Sequence, residues 1–331
     1  MGNRVVWLES GQTFEVQPDE FVLQAALRGG IALPHECKFG GCGTCRVKLI
    51  DGEVEYDEFP LALTPEEASA GYALACQAKP RSDLVISVDQ PNACSKPTRV
   101  SATVAGVAPL ADDVLHLQLH LPDDSELVYL PGQHMNVMLD DGRHRSFSMA
   151  SKPNANVVDF HVRRIRGGWF TEHRLAALRT GESLDVEIPW GQFRYNAEDE
   201  LPLVMVATGT GLAPIKSMLE MLMDDDDCPP VSLYWGARTE ADLYLHDEIQ
   251  GWADRLYEFR YVPVLSRAAT SWTGRRGHVQ QAVLQDLPDL SEHAVYLCGS
   301  PAMVEGAKTS FLAHGADIQR LYSDSFVFQA N

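Results

Sequence analysis

The chain has 331 residues, enough for two or three domains, and its 45% hydrophobic content is ordinary for soluble globular protein. A formal charge of −19 argues against nucleic acid and against an anionic membrane as partners, and favours a protein partner with a basic docking patch. No apolar run reaches membrane-spanning length and the N-terminal segment lacks the apolar stretch of a signal peptide, so a cytoplasmic location is expected. Seven cysteines, an odd number with Cys94, Cys228 and Cys298 scattered, suit a reducing compartment better than a disulfide framework.

Residues 4–9 and 13–16 alternate as a strand hairpin, and Pro18-Asp19-Glu20 opens a helix through Val22, Leu23, Ala26 and Leu27 that stops at Gly29-Gly30. Directly after it, Cys37, Cys42 and Cys45 stand at the spacing C-x4-C-x2-C, and Cys76 closes the later run Gly71-Tyr72-Ala73-Leu74-Ala75-Cys76. Three ligands from one loop and a fourth from a distant segment is the pattern of a plant-type 2Fe-2S cluster held by four thiolates. Gly40, Gly41 and Gly43 suit a loop that folds tightly and turns N–H groups toward sulfur. A zinc knuckle or a disulfide pair is the alternative; the x4 gap and the far fourth cysteine suit zinc poorly. Residues 46–50 form a predicted strand, Asp51-Gly52 a turn, Thr64-Pro65-Glu66-Glu67 a helix start and residues 84–88 a returning strand, a small mixed sheet crossed by a helix. Here residues 1–92 resemble the plant-type ferredoxins, which implies a β-grasp fold.

Residues 91–98, with two prolines and small polar neighbours, read as a linker. Short strands at regular spacing follow (101–107, 114–121, 134–139, 146–150, 158–165 and 183–188) with one helix over 171–178, the pattern of an antiparallel barrel or sandwich. From residue 201 strands and helices alternate: strands 203–207, 231–235, 259–264 and 294–298, with helices to 223, near 242–249, near 279–284 and over 301–314. This predicts a doubly wound α/β domain. The acidic run 224–227 reads as a solvated loop.

The strand 203–207 ends in Thr208-Gly209-Thr210-Gly211-Leu212-Ala213-Pro214 before a helix, so backbone N–H groups and the positive end of the helix dipole face outward, fit for a phosphate. Against the dinucleotide template the match is imperfect, with Pro214 at the third glycine position and no acidic residue at a strand end about twenty positions on. Arg145-Ser146-Phe147-Ser148, this turn, and Tyr296-Leu297-Cys298-Gly299-Ser300-Pro301 come in the order and spacing of the ferredoxin-NADP reductase family. Over its whole length the chain resembles the ferredoxin-fused branch of that family, the reductase components of bacterial multicomponent oxygenases of the phenol hydroxylase, methane monooxygenase and benzoate dioxygenase types. A related branch serves a deoxysugar dehydrase. The resemblance implies three units: a 2Fe-2S ferredoxin domain over 1–92, an FAD-binding antiparallel β-barrel over 97–197 and an NAD(P)H-binding α/β domain over 200–331.

By the same resemblance Arg145 pairs with the flavin diphosphate, Ser148 stands beside flavin N5, and Phe147 holds a position that is often tyrosine. His161, Val162 and Arg163, with Gly167, Gly168 and Thr171, match the strand and turn that hold the cofactor's adenylate side and phosphate. Thr208, Gly209, Thr210, Gly211 and Pro214 match the nicotinamide pyrophosphate turn, and Cys298 and Gly299 the strand end beside the nicotinamide. A buried structural cysteine is the alternative for Cys298. Asp324 and Phe326 match the family's closing strand, so Ser148, Cys298 and Asp324 are the expected catalytic side chains. Arg238 and Ser266-Arg267 end two strands where a 2'-phosphate reader would sit, yet the resemblance favours NADH. The implied path runs from NADH through FAD and the 2Fe-2S cluster to a terminal oxygenase or hydroxylase or another one-electron acceptor protein. Phe39, with Glu53, Glu55, Asp57 and Glu58, is the expected docking surface, with a solvated acidic loop as the alternative. A dehydrase reductase and a redox sensor or binding module are the competing readings.

Overall fold

The computed structural model describes residues 2–88, 97–123, 128–154 and 156–327. Most of the expected linker, Cys94 included, lies outside them.

The first unit contains β1 (Asn3–Trp7), β2 (Thr13–Val16), α1 (Val22–Arg28), β3 (Arg46–Asp51), β4 (Val54–Glu55), α2 (Pro65–Ser69), β5 (Tyr72–Leu74), β6 (Lys79–Pro80) and β7 (Leu84–Ser87). Its sheet runs β2-β1-β7-β3-β5, with β1 and β7 parallel and the other pairs antiparallel. Helix α1 buries Val22, Leu23, Ala25 and Ala26 on this sheet, the β-grasp arrangement. The first helical N–H groups have no partner inside a helix. In α1 they find one across the fold, Val22 donating to Ala78 O (3.0 Å) and Leu23 to Ala75 O (2.8 Å). The amphipathic helix thereby fixes the segment that carries Cys76.

The second unit contains β8 (Thr98–Ala111), β9 (Val114–His120), β10 (His134–Met138), β11 (His144–Ser148), β12 (Val157–Arg163), α3 (Leu175–Ala177) and β13 (Ser183–Trp190), in the order β11-β10-β13-β8-β9-β12 with every pair antiparallel. Leu115, Leu117 and Leu119 of β9 point inward, while His116 and Gln118 point outward to Asp159, the period-two alternation of a strand with one wet face. The edges meet through a bridge between Met149 and Phe160, which closes the sheet into a barrel. The expected strand over 146–150 is instead His144–Ser148. The expected helix over 171–178 begins earlier, as a π-helical turn over Trp169–Arg174 that runs into α3.

The third unit contains β14 (Leu203–Thr208), α4 (Leu212–Leu222), β15 (Val231–Ala237), α5 (His246–Gln250), β16 (Arg260–Leu265), β17 (Arg275–Arg276), α6 (Val279–Asp286), β18 (Ala294–Gly299), α7 (Pro301–Leu312) and β19 (Leu321–Ser325). Its sheet, β17-β16-β15-β14-β18-β19, is parallel throughout. Every residue of β18 is buried, as expected of a strand covered on both faces. The expected helix near 242–249 divides into a 3-10 turn over Glu240–Asp242 and α5.

Packing between units is polar as well as apolar. Lys216 and Ser217 of α4 donate to Ala150 O (3.2 Å) and Ser151 O (2.6 Å) of the barrel. Glu36 Oε1 comes within 3.3 Å of His134 Nε2 of β10, where the cysteine loop meets the barrel.

Candidate functional site

The cysteine loop is shaped by its backbone. Lys38, Gly40 and Gly43 have φ of +63°, +79° and +85°. Side chains rarely adopt such values, and a Cβ on Gly40 would also stand 2.9 Å from Pro60 Cβ. In this conformation the Gly41 N–H donates to Cys37 Sγ (3.3 Å). Cys37 and Cys42 interact side chain to side chain, and so do Cys45 and Cys76. The hydrogen bond from Cys42, helped by the N–H groups of Phe39, Gly41 and Cys42 against burial, brings the Cys37 thiol down to about 6. Its partner Cys42 is pushed up by the same bond and by burial. Among the described residues no three His, Cys, Asp or Glu converge tightly enough for a single ion. Two couples of thiols with N–H groups aimed at sulfur are what two irons with two thiolates each require, so the residues fit a 2Fe-2S core.

Cys45 and Cys76 are 3% exposed and lie behind the loop, but Cys37 and Cys42 open onto a cavity of about 490 Å³. Its other walls come from the barrel and the C-terminal strand. From β11 and the following bend it takes Arg145, Phe147 and Ser148; from β12, His161, Val162 and Arg163; from the glycine turn, Gly167, Gly168 and Thr171. Thr210 joins from the nucleotide turn, and Asp324 and Phe326 from the end of β19. Phe147 stacks on Phe170 with ring centroids 5.7 Å apart, which stiffens one wall. Gly167 has φ +78°, and a Cβ on Gly168 would sit 2.9 Å from both Ile165 O and Thr171 Oγ1, so this edge is bare backbone. One guanidinium, small hydroxyls, aromatic walls and a glycine edge fit a flat ring system with an anionic tail, and the volume is that of a cofactor site.

Two buried groups of the cavity, His161 and Asp324, are neutral. Burial, then the charges of Lys216 and His116, hold His161 down to about 3 against Asp159, and its Nδ1 shares a hydrogen bond of 3.2 Å with the Tyr244 hydroxyl. Burial, then the charge of Glu36, push the Asp324 carboxyl up to about 8, so it keeps its proton at neutral pH.

The nucleotide turn lies at the carboxyl end of the parallel sheet. Gly209 has φ +53° and its carbonyl accepts from Trp235 Nε1 (3.0 Å). A Cβ on Gly211 would lie 2.3 Å from Cys298 O, and one on Gly299 2.1 Å from Thr208 Oγ1. Both glycines are therefore needed where α4 and β18 close on each other. Pro214 sits in the first turn of α4, where a missing N–H costs nothing. Cys298, in register with Asp324, is fully buried and lines no part of the cavity; its position fits the reading as a buried structural thiol. Arg238 is exposed beyond the end of β15, apart from the cavity. Phe39 is 46% exposed but turns to the cavity edge, and Glu55 and Asp57 are engaged by Arg81 and Lys79. Glu36, His134 and Tyr244 are contributors that no sequence motif marks.

The three units match in order the 2Fe-2S iron-sulfur cluster binding domain (residues 5–81), the oxidoreductase FAD-binding domain (101–195) and the oxidoreductase NAD-binding domain (205–309). A CDP-6-deoxy-L-threo-D-glycero-4-hexulose-3-dehydrase reductase of Yersinia pestis is 36% identical over 321 residues, covering 96% of each chain. The chain belongs to the iron–sulfur flavoprotein reductases. The reductase is equally 36% identical, over 96% of its own length and 91% of the other, to the xylene/toluene monooxygenase electron transfer component XylA of Pseudomonas putida. Among solved structures, the Amycolatopsis cytochrome P450 reductase GcoB superposes with a TM-score of 0.73 at 31% identity over 98% of both chains. The reductase is thus an oxidoreductase with binding domains for a 2Fe-2S cluster, FAD and NAD. No helix among its described residues is long and apolar enough to cross a membrane.

Proposed function

We propose that the reductase carries electrons from NADH, through FAD and its 2Fe-2S cluster, to a terminal oxygenase or hydroxylase. The observation that carries this is that Cys37 and Cys42 line the same cavity as Arg145 and Ser148. Bound FAD would convert a two-electron hydride donor into a source of single electrons that a 2Fe-2S cluster can accept.

The residue roles follow from chemistry and position. Arg145 holds the diphosphate through its guanidinium fork. Phe147 and Phe326 enclose the ring system, and Ser148 offers a hydroxyl at the barrel floor. Thr171 and the Gly167-Gly168 edge leave room for the anionic tail. Gly209, Thr210 and Gly211 present N–H groups at the start of α4 to the NADH pyrophosphate. Asp324 is a neutral hydrogen-bond donor at the junction of barrel, sheet and cysteine loop, and Gly299 keeps the end of β18 clear. Arg238 and Arg267, joined by a backbone hydrogen bond of 2.8 Å, stand where a 2'-phosphate would be read. The resemblance to NADH-using reductases sets the preference, so kcat/KM is expected to be higher for NADH than for NADPH; the reverse order would reassign the donor.

The relatives divide between oxygenase components and dehydrase reductases. The 36% identity to the Yersinia dehydrase reductase supports a deoxysugar dehydrase as the second reading of the acceptor. Reconstituting NADH-driven turnover with the acceptor proteins encoded beside this chain tests both. Product from an oxygenase supports the first reading, and product from a dehydrase replaces it with the second.

A further inference from the structure

The nicotinamide unit reaches the cluster unit with a buried lysine. Lys308 of α7 is 4% exposed, and its Nζ donates to Glu67 Oε1 (3.0 Å) and to Ala62 O (3.4 Å). Glu67 is 1% exposed; the same oxygen accepts from Arg46 Nη1 (2.8 Å), and its other oxygen accepts from the Thr64 N–H (2.8 Å). Both positions lead straight to the cysteine loop. The Ala62 N–H donates to Gly40 O (2.9 Å), between Cys37 and Cys42, and Arg46 directly follows Cys45.

Two spaces flank this junction. Lys308 lines a polar cavity of about 390 Å³, shared with Gly43 and Thr44, and a small crevice of about 10 Å³, shared with Gly41 and Cys42. Lys308 therefore stands between two spaces that both reach the ligand loop. Burial alone would raise the Glu67 carboxyl, and Lys308 and Arg46 outweigh it so that the carboxyl lies below its ordinary value. A buried pair in this setting is better read as a device that fixes one arrangement than as a source of net stability.

We propose that Lys308 is a positioning residue for internal electron transfer, holding the Cys37–Cys42 loop against the flavin cavity through Glu67 and Ala62. The proposal rests on the reading of that cavity as the flavin site. Because α7 starts at Pro301, two residues after Gly299, one helix links the end of β18 to Ala62 and Glu67 of the cluster unit.

The test uses the holoprotein and three variants. Lys308→Met keeps the buried stem and removes the charge, Lys308→Arg restores it, and Glu67→Gln keeps an oxygen for the Thr64 N–H. NADH is mixed anaerobically with each protein while flavin bleaching is followed by absorbance and the reduced cluster by freeze-quench paramagnetic resonance. In Lys308→Met and Glu67→Gln, flavin bleaching and its dependence on NADH concentration stay as in the unaltered protein. The cluster signal is delayed about tenfold or more, as a small misplacement of reacting groups demands. Lys308→Arg recovers most of the rate. Hydrogen exchange, a readout independent of turnover, quickens over residues 60–67 and 301–312 in Lys308→Met. A cluster signal at the unaltered rate, a parallel slowing of both steps, or unchanged exchange overturns the proposal. Failure of the unaltered protein to bleach its flavin with NADH instead removes the reading beneath it.

Discussion

Asp324 shows what single residues contribute at this site. Its folded-state value of about 8 lies above the ordinary 3.8, so the folded protein holds the proton more tightly than the unfolded chain does. The contribution to stability is complete below the ordinary value and is lost as pH rises from there toward 8. Asp324→Asn, neutral at every pH, escapes that loss. The melting temperature of the variant relative to the unaltered protein is expected to rise across this interval, and a difference independent of pH would show that the carboxyl is ionised in the fold. Of the site residues, the four cysteines were legible because cluster ligation imposes a local spacing, and Arg145, Ser148 and the nucleotide turn because their motifs come in a fixed order. Glu36, His134 and Lys308 were not. Their partners lie in other units, and nothing in a local window marks a carboxylate that will meet a histidine of a different domain. Glu67 reads as part of a helix start, and its side chain accepts from the Thr64 N–H there. The pairing with Lys308 on the other oxygen belongs to the tertiary structure alone.

Elements were easiest to read where one periodicity ruled. Strand β9 alternates and β18 is apolar throughout, and both lie where expected. The barrel resisted because its closure rests on the bridge between Met149 and Phe160 and because Trp169–Arg174 winds as a π-turn, which has no sequence period of its own. The contact between α4 and β18 is the element-scale feature most open to test. Gly211→Ala would place a methyl group 2.3 Å from Cys298 O, so backbone has to move. A loss of about 1–3 kcal/mol is expected. In denaturant unfolding this is a lower midpoint, and in kinetics a raised KM for NADH; wild-type values for both would mean that the helix can shift freely.

Across the whole molecule, the cysteine loop is flanked on two sides, by His134 of the barrel and, through Glu67 and Ala62, by Lys308 of the nicotinamide unit. On the proposed reading, the net charge of −19 and the acidic residues Glu53 and Glu58 of the cluster unit call for an acceptor with a basic docking face. Association with that acceptor is expected to weaken steadily with ionic strength, and charge reversal at Glu53 and Glu58 to flatten the salt dependence of turnover. Unchanged salt dependence would send the acceptor elsewhere. The proposed function requires an internal path from nucleotide to cluster. Its most direct measurement is anaerobic single-turnover reduction by NADH in the absence of any acceptor, read by flavin absorbance and by the paramagnetic signal of the reduced cluster, in the unaltered protein and in Cys42→Ser. The path predicts that both centres are reduced in the unaltered protein and that Cys42→Ser bleaches its flavin without a native cluster signal. A flavin reduced by NADH beside a cluster that stays oxidised, yet accepts electrons from dithionite, would contradict it.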